Sequence, residues 1–148
     1  MSNIFALKGK GNSGKTETLK TIFHNLQAKY PTATVNVLIS NTVDIKIIMD
    51  INGTKVGIES QGDPHPRLEQ SLSDFVNAKC DIIICATRTR GKTVKWVNSH
   101  SKQYNTRFIL QSKRRVGRAI AKPTILLGHW ATKSEYLKRS LKKGPGSI

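Results

Sequence analysis

Acidic side chains are scarce in this chain and almost vanish from its second half. Against 25 Lys and Arg it carries 9 Asp and Glu, a formal net charge of +16. Residues 1–85 hold nine Lys/Arg against eight acids, close to neutrality, while residues 86–148 hold sixteen against Glu135 alone. A surface that serves only solubility mixes both signs. So one-sided a deficit points instead to a polyanionic partner, nucleic acid or another, met through residues 86–143. Aromatics are also few, at 6%, and few lie among the basic residues, which favours contact with a phosphate backbone over base stacking.

Other absences narrow the class further. There are two cysteines, Cys80 and Cys85, with no matching His/Cys pair, which argues against a zinc site and a disulfide framework. They read as reduced, buried small hydrophobes. No apolar run approaches 18 residues, so no transmembrane helix is expected. The start MSNIFALKGKG lacks a charged segment followed by a long apolar one, so no secretory signal is expected and the cytoplasm is the default compartment. His24, His65 and His100 lack any spacing that would suggest a metal or a nucleophile–base pair. At 148 residues the chain reads as one domain over residues 1–143 with a flexible tail at 144–148. Oligomeric state is not legible.

What is present is concentrated near the start. Gly9-Lys10-Gly11-Asn12-Ser13-Gly14-Lys15-Thr16 fits G-x-x-x-x-G-K-[ST] at every fixed position. Before it, Ile4-Phe5-Ala6-Leu7 reads as a buried strand. After it, Leu19, Ile22, Phe23 and Leu26 recur at helical spacing, so a helix is expected from Gly14 to Lys29, ended by Pro31. Glycines let backbone N–H groups turn inward around an anion, and a helix N-terminus adds unpaired N–H groups and partial positive charge.

With strand, loop and helix in this order, the chain resembles the P-loop NTPase superfamily through its Walker A motif. The resemblance implies a three-layer α/β fold and a bound nucleoside triphosphate with magnesium. It carries over Gly9, Gly14, Lys15 and Thr16 as nucleotide-binding positions, with Gly11, Asn12, Ser13 and the first-turn Thr18 beside them. Lys15 would reach the outer phosphates, and the Thr16 hydroxyl would be a magnesium ligand.

Further along, Thr34–Ile39 alternates as a strand. Ile45, Ile47, Met49 and Ile51 alternate with Asp44, Lys46, Ile48 and Asp50, then Asn52-Gly53 supplies a type I′ turn before Lys55–Glu59 returns. An antiparallel hairpin near residues 43–60 is therefore expected inside a mainly parallel sheet, an arrangement that resembles small GTPases more than the all-parallel nucleotide kinases. The returning strand ends in Glu59-Ser60-Gln61-Gly62-Asp63. An acid where a neighbouring strand emerges beside the loop suits the Walker B role, holding magnesium or orienting water. Glu59 and Asp63 are the candidates, Glu59 also as a metal ligand, although Lys55 and Gly57 interrupt the usual apolar run. Asp63 equally suits the N-cap of a helix carrying Arg67, Leu68, Leu72, Phe75 and Val76.

Asp81–Ala86 reads as a central strand buried on both faces. It opens into Thr87–Thr93, where Arg88, Arg90 and Lys92 should share an edge with the loop. Arg88 is the candidate for stabilising charge on a transferring phosphoryl group. A helix at Thr93–Tyr104 and a strand at Thr106–Gln111 follow. After that strand Gln111-Ser112-Lys113-Arg114-Arg115 lacks the N-K-x-D pattern by which GTPases read guanine, leaving ATP as the expected nucleotide. Pro123–Leu127 reads as a last strand and Ser134–Lys143 as a closing helix. The functions in view are an ATP-dependent hydrolase coupled to a polyanionic or protein partner, a kinase of small molecules or nucleotides, and a nucleotide-binding subunit without turnover.

Overall fold

The computed structural model describes residues 2–11, 13–40, 44–61, 66–111, 115–116 and 119–120. The run Asp81–Ala86, expected as a central strand, forms the strand Ile82–Thr87, buried at all six positions. It is β5 of a six-stranded mixed sheet whose order is β2-β3-β4-β5-β1-β6. The other strands are β1 (Ser2–Lys8), β2 (Thr34–Ser40), β3 (Ile45–Ile51), β4 (Thr54–Glu59) and β6 (Tyr104–Leu110). Helices α1 (Lys15–Lys29), α2 (Pro66–Asn77) and α3 (Lys92–Asn98) lie between them. The chain is thus α/β. Two-residue strands β7 (Arg115–Val116) and β8 (Ala119–Ile120) pair separately.

Alternation along the strands sends side chains to two cores. Phe5, Leu7, Ile47, Met49, Ile58 and Ile84 pack with Leu19 and Phe23 of α1. Ile4, Ala6, Ile83 and Cys85 pack with Leu68, Leu72 and Phe75 of α2 and Val97 of α3. Helices therefore cover both faces at the centre of the sheet, and the period-2 code of β1 and β5 is read twice. Burying the larger of these side chains stabilises by about 1.5–3 kcal/mol each.

The hairpin forms as expected: β3 and β4 pair antiparallel around Asn52 and Gly53, whose φ values of 52° and 89° are both positive, as a type I′ turn requires. The sheet is more mixed than mainly parallel, because β2 also runs antiparallel to β3. The polar side of β3 is only partly solvated, with Ile48 and Asp50 half-buried. There Lys46 is buried in an ion pair with Asp74 of α2. The expected neighbour relation changes as well: β4 reaches the rest of the sheet through β5, so β5 stands between the end of β4 and β1.

The third helix is shorter than its apolar stripe suggests and stops at Asn98. The Ser99 hydroxyl donates to the Trp96 carbonyl, a local bond that competes with the helical ladder. Tyr104, expected to close that helix, opens β6 instead, pinned by its hydroxyl to the Cys80 carbonyl at 2.6 Å. The stretches expected as a strand at Pro123–Leu127, a helix at Ser134–Lys143 and a tail at 144–148 lie outside the described residues. Among the described residues no helix is long and apolar enough to cross a membrane.

Candidate functional site

β1 ends at Lys8 and α1 begins at Lys15, so the glycine-rich stretch bridges a strand's carboxyl end and a helix's amino end. Gly14 is the N-cap, at φ 88° and ψ 13°. That left-handed conformation is one a side chain rarely tolerates, and with no side chain Gly14 leaves the first N–H groups of α1 uncapped. The Lys15 side chain turns back across the loop, donating to the carbonyls of Gly9 at 2.6 Å and Lys10 at 2.7 Å. It is buried there. The Ser13 hydroxyl is also buried and has no hydrogen-bond partner among the described residues.

Two strand ends close on this loop. At the end of β5, the Arg88 guanidinium lies so near Gly11 that a Cβ there would stand 2.7 Å from Nη1. The Arg88 backbone N–H donates to the Thr93 hydroxyl at 3.0 Å, fixing the turn into α3. Beyond the end of β6, the Gln111 side-chain amide donates to the Ser13 carbonyl at 2.6 Å. From the more distant β4, the Ser60 carbonyl reaches the Thr16 hydroxyl at 3.4 Å. Ser60 in turn donates through its hydroxyl to Asp44 at 3.0 Å. By donor type, the buried ammonium, the guanidinium, the hydroxyls of Ser13 and Thr16 and the start of α1 could hold a phosphate group. The Thr18 hydroxyl donates to the Gly14 carbonyl at 3.0 Å and so serves the first turn of α1.

Glu59 has a different setting. It is wholly buried and its register partner is Cys85, on the α2 side of the sheet. Its carboxylate pairs with Arg67 at 3.0 Å and accepts from the Ser71 hydroxyl at 2.9 Å. It also accepts from the Gln61 N–H at 3.0 Å. Burial pushes its carboxyl above the usual carboxylate range, against the opposing pull of the Gln61 N–H, Arg67, Ser71 and Lys46. Desolvation of the charged form thus outweighs its partners. Burial likewise pushes the Cys80 thiol up to about 11 and Cys85 up to about 12, so both are inert small hydrophobes, as expected.

Of the sequence candidates, the structure brings together Gly9, Gly11, Ser13, Gly14, Lys15, Thr16 and Arg88 around the loop. It sets Glu59 apart under α2, and Asn12 and Asp63 lie outside the described residues. Arg90 and Lys92 are exposed beyond Arg88. Gln111, Ser60 and Asp44 escape sequence reasoning as site residues. The one signal for Gln111 is its place as the polar residue directly after the apolar strand β6. Among the described residues no cluster of three His, Cys, Asp or Glu could hold a metal ion. No protein-family model, no curated protein and no solved structure matches the chain.

Proposed function

We propose that this chain binds a nucleoside triphosphate, ATP by default, with magnesium at residues 9–16, and hydrolyses it in step with a polyanionic partner met through its basic half. The reading takes the architecture as a three-layer P-loop fold. The observation that carries it is the fold of the loop on itself: Gly14 left-handed at the head of α1, and Lys15 buried across the Gly9 and Lys10 carbonyls. Phosphate oxygens would take over the ammonium from those carbonyls, and the first N–H groups of α1 would join it. Gly9, Gly11 and Ser13 would complete the cradle, joined by Asn12 through its position in the motif, and Thr18 shapes its helical wall.

Magnesium, when bound, neutralises phosphate charge and orients the terminal group. Thr16 would hold it through its hydroxyl. Arg88, already laid against Gly11, is the group to stabilise charge as the terminal phosphoryl departs. Asp63 is the remaining acid assigned to the attacking water. The test is nucleotide hydrolysis with and without DNA or RNA, at several salt concentrations. Stimulation that fades with salt supports the reading; no hydrolysis under any of these conditions removes it.

One observation favours a second reading, nucleotide binding without turnover. Glu59 would reach a metal or a water only by leaving Arg67, Ser71 and the Gln61 N–H. Saturable binding of ATP with no hydrolysis in any partner's presence would establish that reading.

A further inference from the structure

We propose that Gln111 sets the shape of the phosphate loop, as a positioning residue for nucleotide binding; the inference rests on the nucleotide reading above. Gln111 follows β6, and its N–H donates to the Lys8 carbonyl at 2.8 Å, carrying the β1–β6 pairing one residue beyond the strand. That places its backbone beside the start of the loop. A Cβ on Gly9 would stand 2.7 Å from the Gln111 carbonyl oxygen, and one on Gly14 would stand 3.1 Å from its Nε2. Between these contacts the side chain donates from Nε2 to the Ser13 carbonyl at 2.6 Å. Gln111 thus touches the loop at its first glycine and at its last.

The choice of residue type carries the argument. Gln111 is 5% exposed, and its Oε1 is buried with no hydrogen-bond partner among the described residues. An apolar side chain of equal length would fill the same space without burying a lone acceptor. What the amide adds is a donor for the Ser13 carbonyl. In a planar trans peptide the C=O and the following N–H point in opposite directions. Holding the Ser13 carbonyl towards β6 therefore fixes the direction of the Gly14 N–H at the mouth of α1. Released, the carbonyl could turn into the loop, where its dipole would oppose a phosphate. Gln111 acts through the loop and touches no reacting atom.

The test is calorimetric titration of the β,γ-imido analogue of ATP with magnesium into the full chain and its variants. Gln111→Met keeps the volume and removes the donor; its affinity is expected to fall about 10- to 100-fold. Gln111→Glu sets an acceptor against the Ser13 carbonyl and is expected to fall further. Asn105→Ala, exposed on β6, should match the wild type. A purely structural role would lower the melting temperature of the unliganded protein, whereas positioning lowers the analogue's affinity and the nucleotide-induced rise in melting temperature. Wild-type affinity in Gln111→Met overturns the proposal, as does an affinity loss that merely tracks a lower unliganded melting temperature. If the wild type itself binds no analogue, the nucleotide reading falls and this proposal falls with it.

Discussion

The ends of β4 and β5 are neighbours in the sheet, and they are put to different uses. β4 ends in Glu59, whose carboxylate is turned beneath α2 and filled by Arg67, Ser71 and the Gln61 N–H. β5 ends towards Arg88, whose guanidinium lies on Gly11 of the glycine-rich loop. Both are charged residues where strands emerge, the position at which open α/β sheets place their ligands. Their different surroundings follow from topology. β5 pairs directly with β1, which feeds the loop, while β4 is one strand further away. A charge at a strand end thus becomes a contact of the glycine-rich loop or a structural anchor according to which strand it ends.

The largest effect that would break this comparison is on stability at the β4 end. Glu59→Ala leaves Arg67 without its buried partner and is expected to cost about 3–5 kcal/mol, read from chemical denaturation. A loss below about 1 kcal/mol would mean that Glu59 is no anchor. Next, Arg88→Ala is expected to lower turnover at least about 10-fold while changing nucleotide affinity much less, since its charge acts in the transition state. Single-turnover hydrolysis together with titration separates the two, and unchanged turnover would remove Arg88 from the site.

The smallest effect concerns pH. Because burial raises the Glu59 carboxyl above its ordinary value of 4.5, its contribution to stability is fully present below that value and is lost as pH rises through the folded-state value. Wild-type stability relative to Glu59→Gln should therefore decline as pH rises from below 4.5. Paired denaturation curves across that range check the sign. A rising difference would mean that Arg67 and the hydrogen bonds outweigh desolvation.

Much of this arrangement was legible in the residues themselves. The loop follows an apolar strand and precedes an apolar helical stripe, so local pattern alone placed it between β1 and α1. Asn52-Gly53 between alternating runs gave the hairpin, and the unbroken Ile82-Ile83-Ile84 gave a central strand. Strand order was not legible, because it depends on pairings between distant segments. Nothing local says that β5 rather than β4 lies beside β1, and hence that Arg88 rather than Glu59 meets the loop. The burial of Lys46 is hidden for a related reason: alternation along β3 says nothing of Asp74 on α2, with which it pairs. Gln111 is joined to Ser13 across 98 positions, a separation that no local pattern spans.

The central claim is that residues 9–16 hold the phosphates of a nucleoside triphosphate, with Lys15 as the cation that meets them. Titrating magnesium and the β,γ-imido ATP analogue into the wild type and into Lys15→Ala tests it most directly. Saturable binding by the wild type that falls at least about 100-fold in a folded Lys15→Ala protein is the expected result, since a buried charge-assisted contact is lost. Equal binding by the two proteins, or none by the wild type, would contradict it.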